Sequence, residues 1–124
     1  TLPGAAEKFL RYVKIDTQSD PDSSSVPTSE KELDLARLLV KELMDMGAED
    51  VKMCKAGCVY ATIPSNCDAE APVVGFIAHM DTSPDVTGAN VSPRIVENYQ
   101  GGDIILNSEK GIILPSGFFK AKPS

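Results

Sequence analysis

Pro72-Val73-Val74-Gly75-Phe76-Ile77-Ala78-His79-Met80-Asp81-Thr82-Ser83-Pro84 is the stretch that organises the chain. The seven mostly apolar residues before His79 are too few for an ordinary helix and are flanked by prolines, which predicts a buried core strand. Successive strand side chains point to opposite faces, so His79 and Asp81 share one face if the chain stays extended. His79 is the single histidine of the sequence. Such a pair can act in two ways. The imidazole can bind a metal through one nitrogen while the carboxylate takes the other N–H. Alternatively, the pair can serve as a general base and its orienter, which requires a nucleophile. No G-x-S-x-G elbow that would supply one is present.

Size and charge bound what surrounds this stretch. The 124 residues suffice for one domain with a real core and hardly for two. Eighteen acidic against twelve basic residues give a net charge of −6, which argues against partners recognised through a phosphate backbone. No run approaches a membrane span, and Thr1-Leu2-Pro3-Gly4 lacks the basic and apolar regions of a signal peptide. Cys54, Cys58 and Cys67 form an odd set without framework spacing, so a reducing, cytoplasmic setting is expected rather than a disulfide scaffold.

Taken in order, the chain opens with Pro3, suited to a first helical turn. Ala6, Phe9, Leu10 and Val13 follow at helical spacing and give a short amphipathic helix. Gln18 to Pro27 is a polar Ser/Asp/Pro-rich surface loop. Ser29-Glu30-Lys31-Glu32 is a capping-box pattern. It opens a predicted helix over about 30–46, striped by Leu33, Ala36, Val40 and Leu43 and ended by Gly47 as the residue after the C-cap. Val51–Cys54 and Cys58–Ile63 read as a hairpin through Lys55-Ala56-Gly57. Beyond Asp81 the chain is loop-like, with short apolar runs at Ile95-Val96, Ile104–Leu106 and Ile112–Leu114. The tail from Pro115 shows no element, although it carries Phe118-Phe119. The implied fold class is α/β, with helices packed on a mixed β-sheet.

Val73 to Thr82, with its His79-Met80-Asp81, resembles the first metal-site motif of the M20-type zinc peptidases. Four further blocks resemble the tripeptide aminopeptidase branch of that family: Phe9 to Ser19, Val59 to Pro64, His79 to Asp85, and Val96 to Ile104. Several blocks in one order are far more specific than a single short motif. The resemblance implies that His79 is a metal ligand in a two-zinc site, and that Asp81 is the catalytic carboxylate orienting it. It implies release of the N-terminal residue from tripeptides, a small peptide as partner, and residues 1–124 as the N-terminal portion of a catalytic domain. The family's later bridging aspartate, Glu-Glu pair, further carboxylate and distant histidine have no counterpart before Ser124. The chain alone is therefore expected neither to hold zinc tightly nor to cleave peptides, since catalytic zinc takes three protein ligands.

Alternatives remain at this stage. They are a non-catalytic binding module of similar fold, a related M20-type dipeptidase or deacylase, and a structural zinc cage of Cys54, Cys58, Cys67 and His79. Self-association into a homo-oligomer is left open, because Phe118-Phe119 could present an apolar patch.

Overall fold

A computed structural model describes residues 3–119 of the chain, Phe119 by its backbone alone. Two compact units result, one ending at Pro93 and the other beginning at Arg94. The described residues combine helices with small antiparallel sheets, a mixed α/β composition. No helix among them is long and apolar enough to cross a membrane.

In the first unit, Pro3 leads into helix α1 (Gly4–Tyr12), which carries Glu7 in its first turn and Arg11 in its last. Both charges complement the helix dipole. Helix α2 runs from Glu32 to Asp45, slightly inside the predicted 30–46. Half of the capping box forms: the Ser29 amide donates to Glu32 Oε1 at 3.0 Å, and the Thr28 hydroxyl donates to the same oxygen at 2.7 Å. The Ser29 hydroxyl makes no cap bond, because Lys31 at the N-cap is already in helical conformation. At the other end Gly47 takes φ +80. Its amide donates to the Met44 carbonyl (2.9 Å) and the Ala48 amide to the Leu43 carbonyl (3.0 Å), a Schellman ending that closes the helix as the sequence predicts.

Glu42 joins the two helices. Its carboxylate accepts from Lys8 Nζ at 2.6 Å, from the Tyr12 hydroxyl at 2.5 Å and from the Arg11 guanidinium. Lys8 foremost, then Tyr12 and Arg11, hold the Glu42 carboxyl down at about 2 against the opposing effect of desolvation. Partial burial, and after it the Glu42 carboxylate, push the Tyr12 phenol up to about 12.

Strands β1 (Glu49–Met53) and β2 (Val59–Thr62) form the expected antiparallel hairpin and pack on α2. Its turn closes through Gly57 N–H to the Cys54 carbonyl at 3.0 Å. Gly57 has φ +86, and a β-carbon there would lie 3.2 Å from Leu33 Cδ2. Leu35 and Ala36 on α2 are the buried apolar side chains among the described residues.

The expected core strand over residues 72–78 is not seen. This segment has no regular secondary structure, and Val73, Phe76 and Ile77 are almost wholly exposed. A strand needs neighbours to satisfy its amides and carbonyls, and among the described residues none lies beside it. Nor is a mixed sheet present among them: both sheets are two-stranded and antiparallel. The parallel element found there is a single bridge between Gln18 and Thr82.

In the second unit, strands β3 (Ile104–Asn107) and β4 (Ile112–Leu114) form a second hairpin. The Asn107 side chain accepts the Lys110 amide at 2.9 Å inside its turn. The Arg94 guanidinium donates to the Ile105 carbonyl, and Asp103 accepts the Ser116 amide at 2.9 Å. Where the sequence shows no element, Ser116–Phe119 makes one 3-10 turn. The Phe118 side chain is exposed, and the rest of the tail lies outside the described residues.

Two outcomes follow from these contacts. Gly57→Ala should lower stability by about 1–2 kcal/mol, the cost of an L-residue held at left-handed φ, measured by urea unfolding. A depressed carboxyl contributes stability that is present above its ordinary value of 4.5 and lost as the pH falls toward about 2. Glu42→Gln should therefore be less stable than wild type at neutral pH and lack the loss that wild type shows across that window in acid titrations followed by circular dichroism.

Candidate functional site

His79 and Asp81 do share a face. His79 Nδ1 lies 3.2 Å from Asp81 Oδ1. In the tautomer whose Nδ1–H donates to the Asp81 carboxylate, Nε2 carries the lone pair of the neutral ring. The His79 side chain is 83% exposed and that of Asp81 44%, which leaves Nε2 free to meet a ligand from solvent.

The backbone just after Asp81 is gripped by the segment that leaves α1. The Thr82 amide donates to the Thr17 carbonyl at 3.0 Å, and the Ser19 amide donates to the Thr82 carbonyl at 3.0 Å. The Ser19 hydroxyl reaches that same carbonyl at 3.1 Å, and Gln18 Nε2 donates to the Pro84 carbonyl at 2.9 Å. Thr17 is the buried polar residue of this grip, 3% exposed.

Asp16 braces it from below. One carboxylate oxygen takes the Gln18 amide at 3.0 Å and the other takes Lys31 Nζ at 2.9 Å. Lys31, and after it the Gln18 amide, hold the Asp16 carboxyl below its ordinary value. Gly88 closes the loop onto this group, so tightly that a β-carbon there would stand 2.7 Å from Asp16 Oδ1. Asp16, Thr17 and Gln18 lie in the Phe9–Ser19 block, and with Gly88 they take a positioning role that their sequence does not announce. The local signal is Asp16 itself, whose carboxylate bonds the amide two residues on as an Asx-turn.

Tyr12, Leu39, Leu43, Phe76, His79 and Asp81 line part of a trough of about 1340 Å3. It exceeds an ordinary small-molecule pocket of roughly 300–1,000 Å3, and its wall is shared by the two helices, the hairpin turn and residues 76–91. A catalytic zinc takes three protein ligands. Among the described residues no three His, Cys, Asp or Glu side chains converge to hold a metal ion. Cys54, Cys58, Cys67 and His79 are not gathered into such a group either.

No protein-family model matches the chain. The chain is 52% identical over 113 residues to a peptidase T of Geobacillus kaustophilus, a match covering 91% of this chain and 28% of that protein. It is 55% identical over 120 residues to a peptidase T of Alkaliphilus oremlandii (94% and 29%). It is 54% identical over 108 residues to one of Clostridium botulinum (87% and 26%). The chain is a homologue of peptidase T. It spans between 26% and 29% of the length of these curated relatives.

If the grip positions Thr82, disturbing Gly88 should release it. Gly88→Ala should raise the hydrogen-exchange rates of the Ser19 and Thr82 amides while leaving those of α2 unchanged. Unaltered exchange at both amides would show that Gly88 does not brace the segment.

Proposed function

We propose that this chain is the N-terminal portion of the catalytic domain of an M20-type zinc aminopeptidase, cytoplasmic, that releases the N-terminal residue from tripeptides. The observation that carries this reading is the His79–Asp81 pair, 3.2 Å apart and exposed, in a chain more than half identical to peptidase T proteins. The substrate class rests on the resemblance of the sequence blocks and on what those relatives are named.

His79 would offer Nε2 to one zinc ion. Asp81, accepting the Nδ1 proton, fixes the tautomer, stops the ring from turning and raises the basicity of the ligating nitrogen. A bound zinc pair supplies Lewis acidity at the scissile carbonyl and lowers the pKa of water. The remaining ligands and the general base would come from chain beyond this sequence. Exposure of Val73, Val74, Phe76 and Ile77 supports that arrangement, because so apolar a run is stable only where other structure covers it. The three free thiols support a reducing compartment.

The test is the longer gene product, assayed for zinc content and for tripeptide cleavage. His79→Ala should abolish cleavage and lower the zinc content. Asp81→Ala should lower zinc affinity or activity by roughly 10–100-fold, the usual cost of losing an orienting carboxylate. Wild-type activity in both variants would overturn the reading. The 124-residue chain alone should bind zinc weakly in calorimetric titration and show no turnover.

A further inference from the structure

The β1–β2 hairpin presents a row of chemistry on one face. Lys52 and Tyr60 are register partners, and Lys52 Nζ stands 5.9 Å from the centre of the Tyr60 ring. Strand alternation places Cys54 on the face of Lys52 and Cys58 on the face of Tyr60. The two cysteines are thus opposite each other at the mouth of the turn, where the Cys54 amide donates to the Cys58 carbonyl at 2.9 Å. Facing residues of an antiparallel pair have Cα atoms about 4.5–5.5 Å apart, inside the roughly 4.4–6.8 Å that a disulfide spans. Both thiols are free; Cys58 is exposed and Cys54 half-buried.

We propose that Cys54 and Cys58 are a reversible oxidation site for hydroperoxides, closing to a disulfide across the hairpin mouth. Cys54 is the attacking sulfur. Desolvation works to raise its pKa, but the backbone of Cys58 and Ala56, the Cys58 thiol and its own backbone bring it below the ordinary value. The negative charge that Cys58 and then Cys54 would carry raises the Tyr60 phenol above its ordinary value, which sets Tyr60 beside both sulfurs.

The chemistry balances in two steps. The Cys54 thiolate attacks the peroxide O–O bond, giving a sulfenic acid and releasing an alcohol or water. The Cys58 thiol then displaces the sulfenic oxygen, which leaves as water, and the S–S bond forms. Two electrons pass from the thiols to the peroxide. A bond closing so short a loop constrains the unfolded chain far less than one spanning a long loop, so its use is switching rather than stapling. Cys67 does not share this face. It follows β2 by five residues and is held by Ser65, whose hydroxyl accepts the Cys67 amide at 3.3 Å and donates to its carbonyl at 2.8 Å.

The reduced chain, treated with one equivalent of hydrogen peroxide and digested with trypsin without reductant, tests this directly. Trypsin cuts after Lys55, between the two thiols. The expected result is two fragments, 53–55 with Cys54 and 56–94 with both Cys58 and Cys67, that stay joined, two hydrogens lighter, and separate on adding dithiothreitol. Cys67→Ser should give the same linked pair, which assigns the bond to Cys58. Cys58→Ser should leave Cys54 as a sulfenic acid trapped by dimedone. Loss of the linked pair in Cys67→Ser, or Cys54 driven to sulfinic acid with Cys58 still free, would overturn the proposal. Circular dichroism of each variant confirms that the hairpin survives the substitution.

Discussion

Thr17 and Ser19 hold the backbone of Thr82 from both sides, and the geometry of the candidate site depends on that hold. Each such bond is worth only about 0.5–1.5 kcal/mol net. Four of them converge on Thr82 and Pro84, one from the buried Thr17. The residues before Asp81 have no comparable anchor: Val73 to Ile77 are exposed and unpaired. Fixation of the site segment therefore comes from its C-terminal side. His79 and Asp81 sit at the transition between an uncovered run and a tethered one.

The tether needs Asp16 in turn. A carboxylate that accepts one backbone amide and one ammonium group gives the chain a fixed exit from α1. Gly88 can come close only because it carries no side chain. The same economy appears at Glu42, where one carboxylate collects Lys8, Arg11 and Tyr12 and so fixes α1 against α2. With Leu35 and Ala36 the buried apolar residues described, these polar contacts supply much of the specificity that a larger core would otherwise provide.

What the sequence revealed follows the range of the interactions. Helix α2, its Gly47 ending and the hairpin around Gly57 are local, and all three were legible from spacing and turn chemistry. The His79–Asp81 contact is local as well, two residues apart, although the strand from which it was expected does not form. The capping box was half right: Glu32 reaches back to Ser29, but the helix begins one turn position later than the Ser29 hydroxyl could serve. Residues 72–78 were misread because a buried strand is a statement about neighbours, and period and composition cannot say where those neighbours are. Asp16 meeting Gly88 was illegible because nothing local ties two residues so distant in the chain.

The uncovered run and the tethered pair make one physical argument. Apolar residues with strand-like composition, left without ladder partners, mark a surface shaped for cover that the described residues do not provide. The trough beside it, lined by α1, α2, the hairpin turn and residues 76–91, is largely apolar as well. His79 and Asp81 line that trough, so structure laid into it would arrive beside them. On the proposed reading, the zinc ligands would be completed only when the covering structure is in place. Metal binding and burial of the apolar run would then be one coupled event, the general behaviour of metal sites assembled by folding.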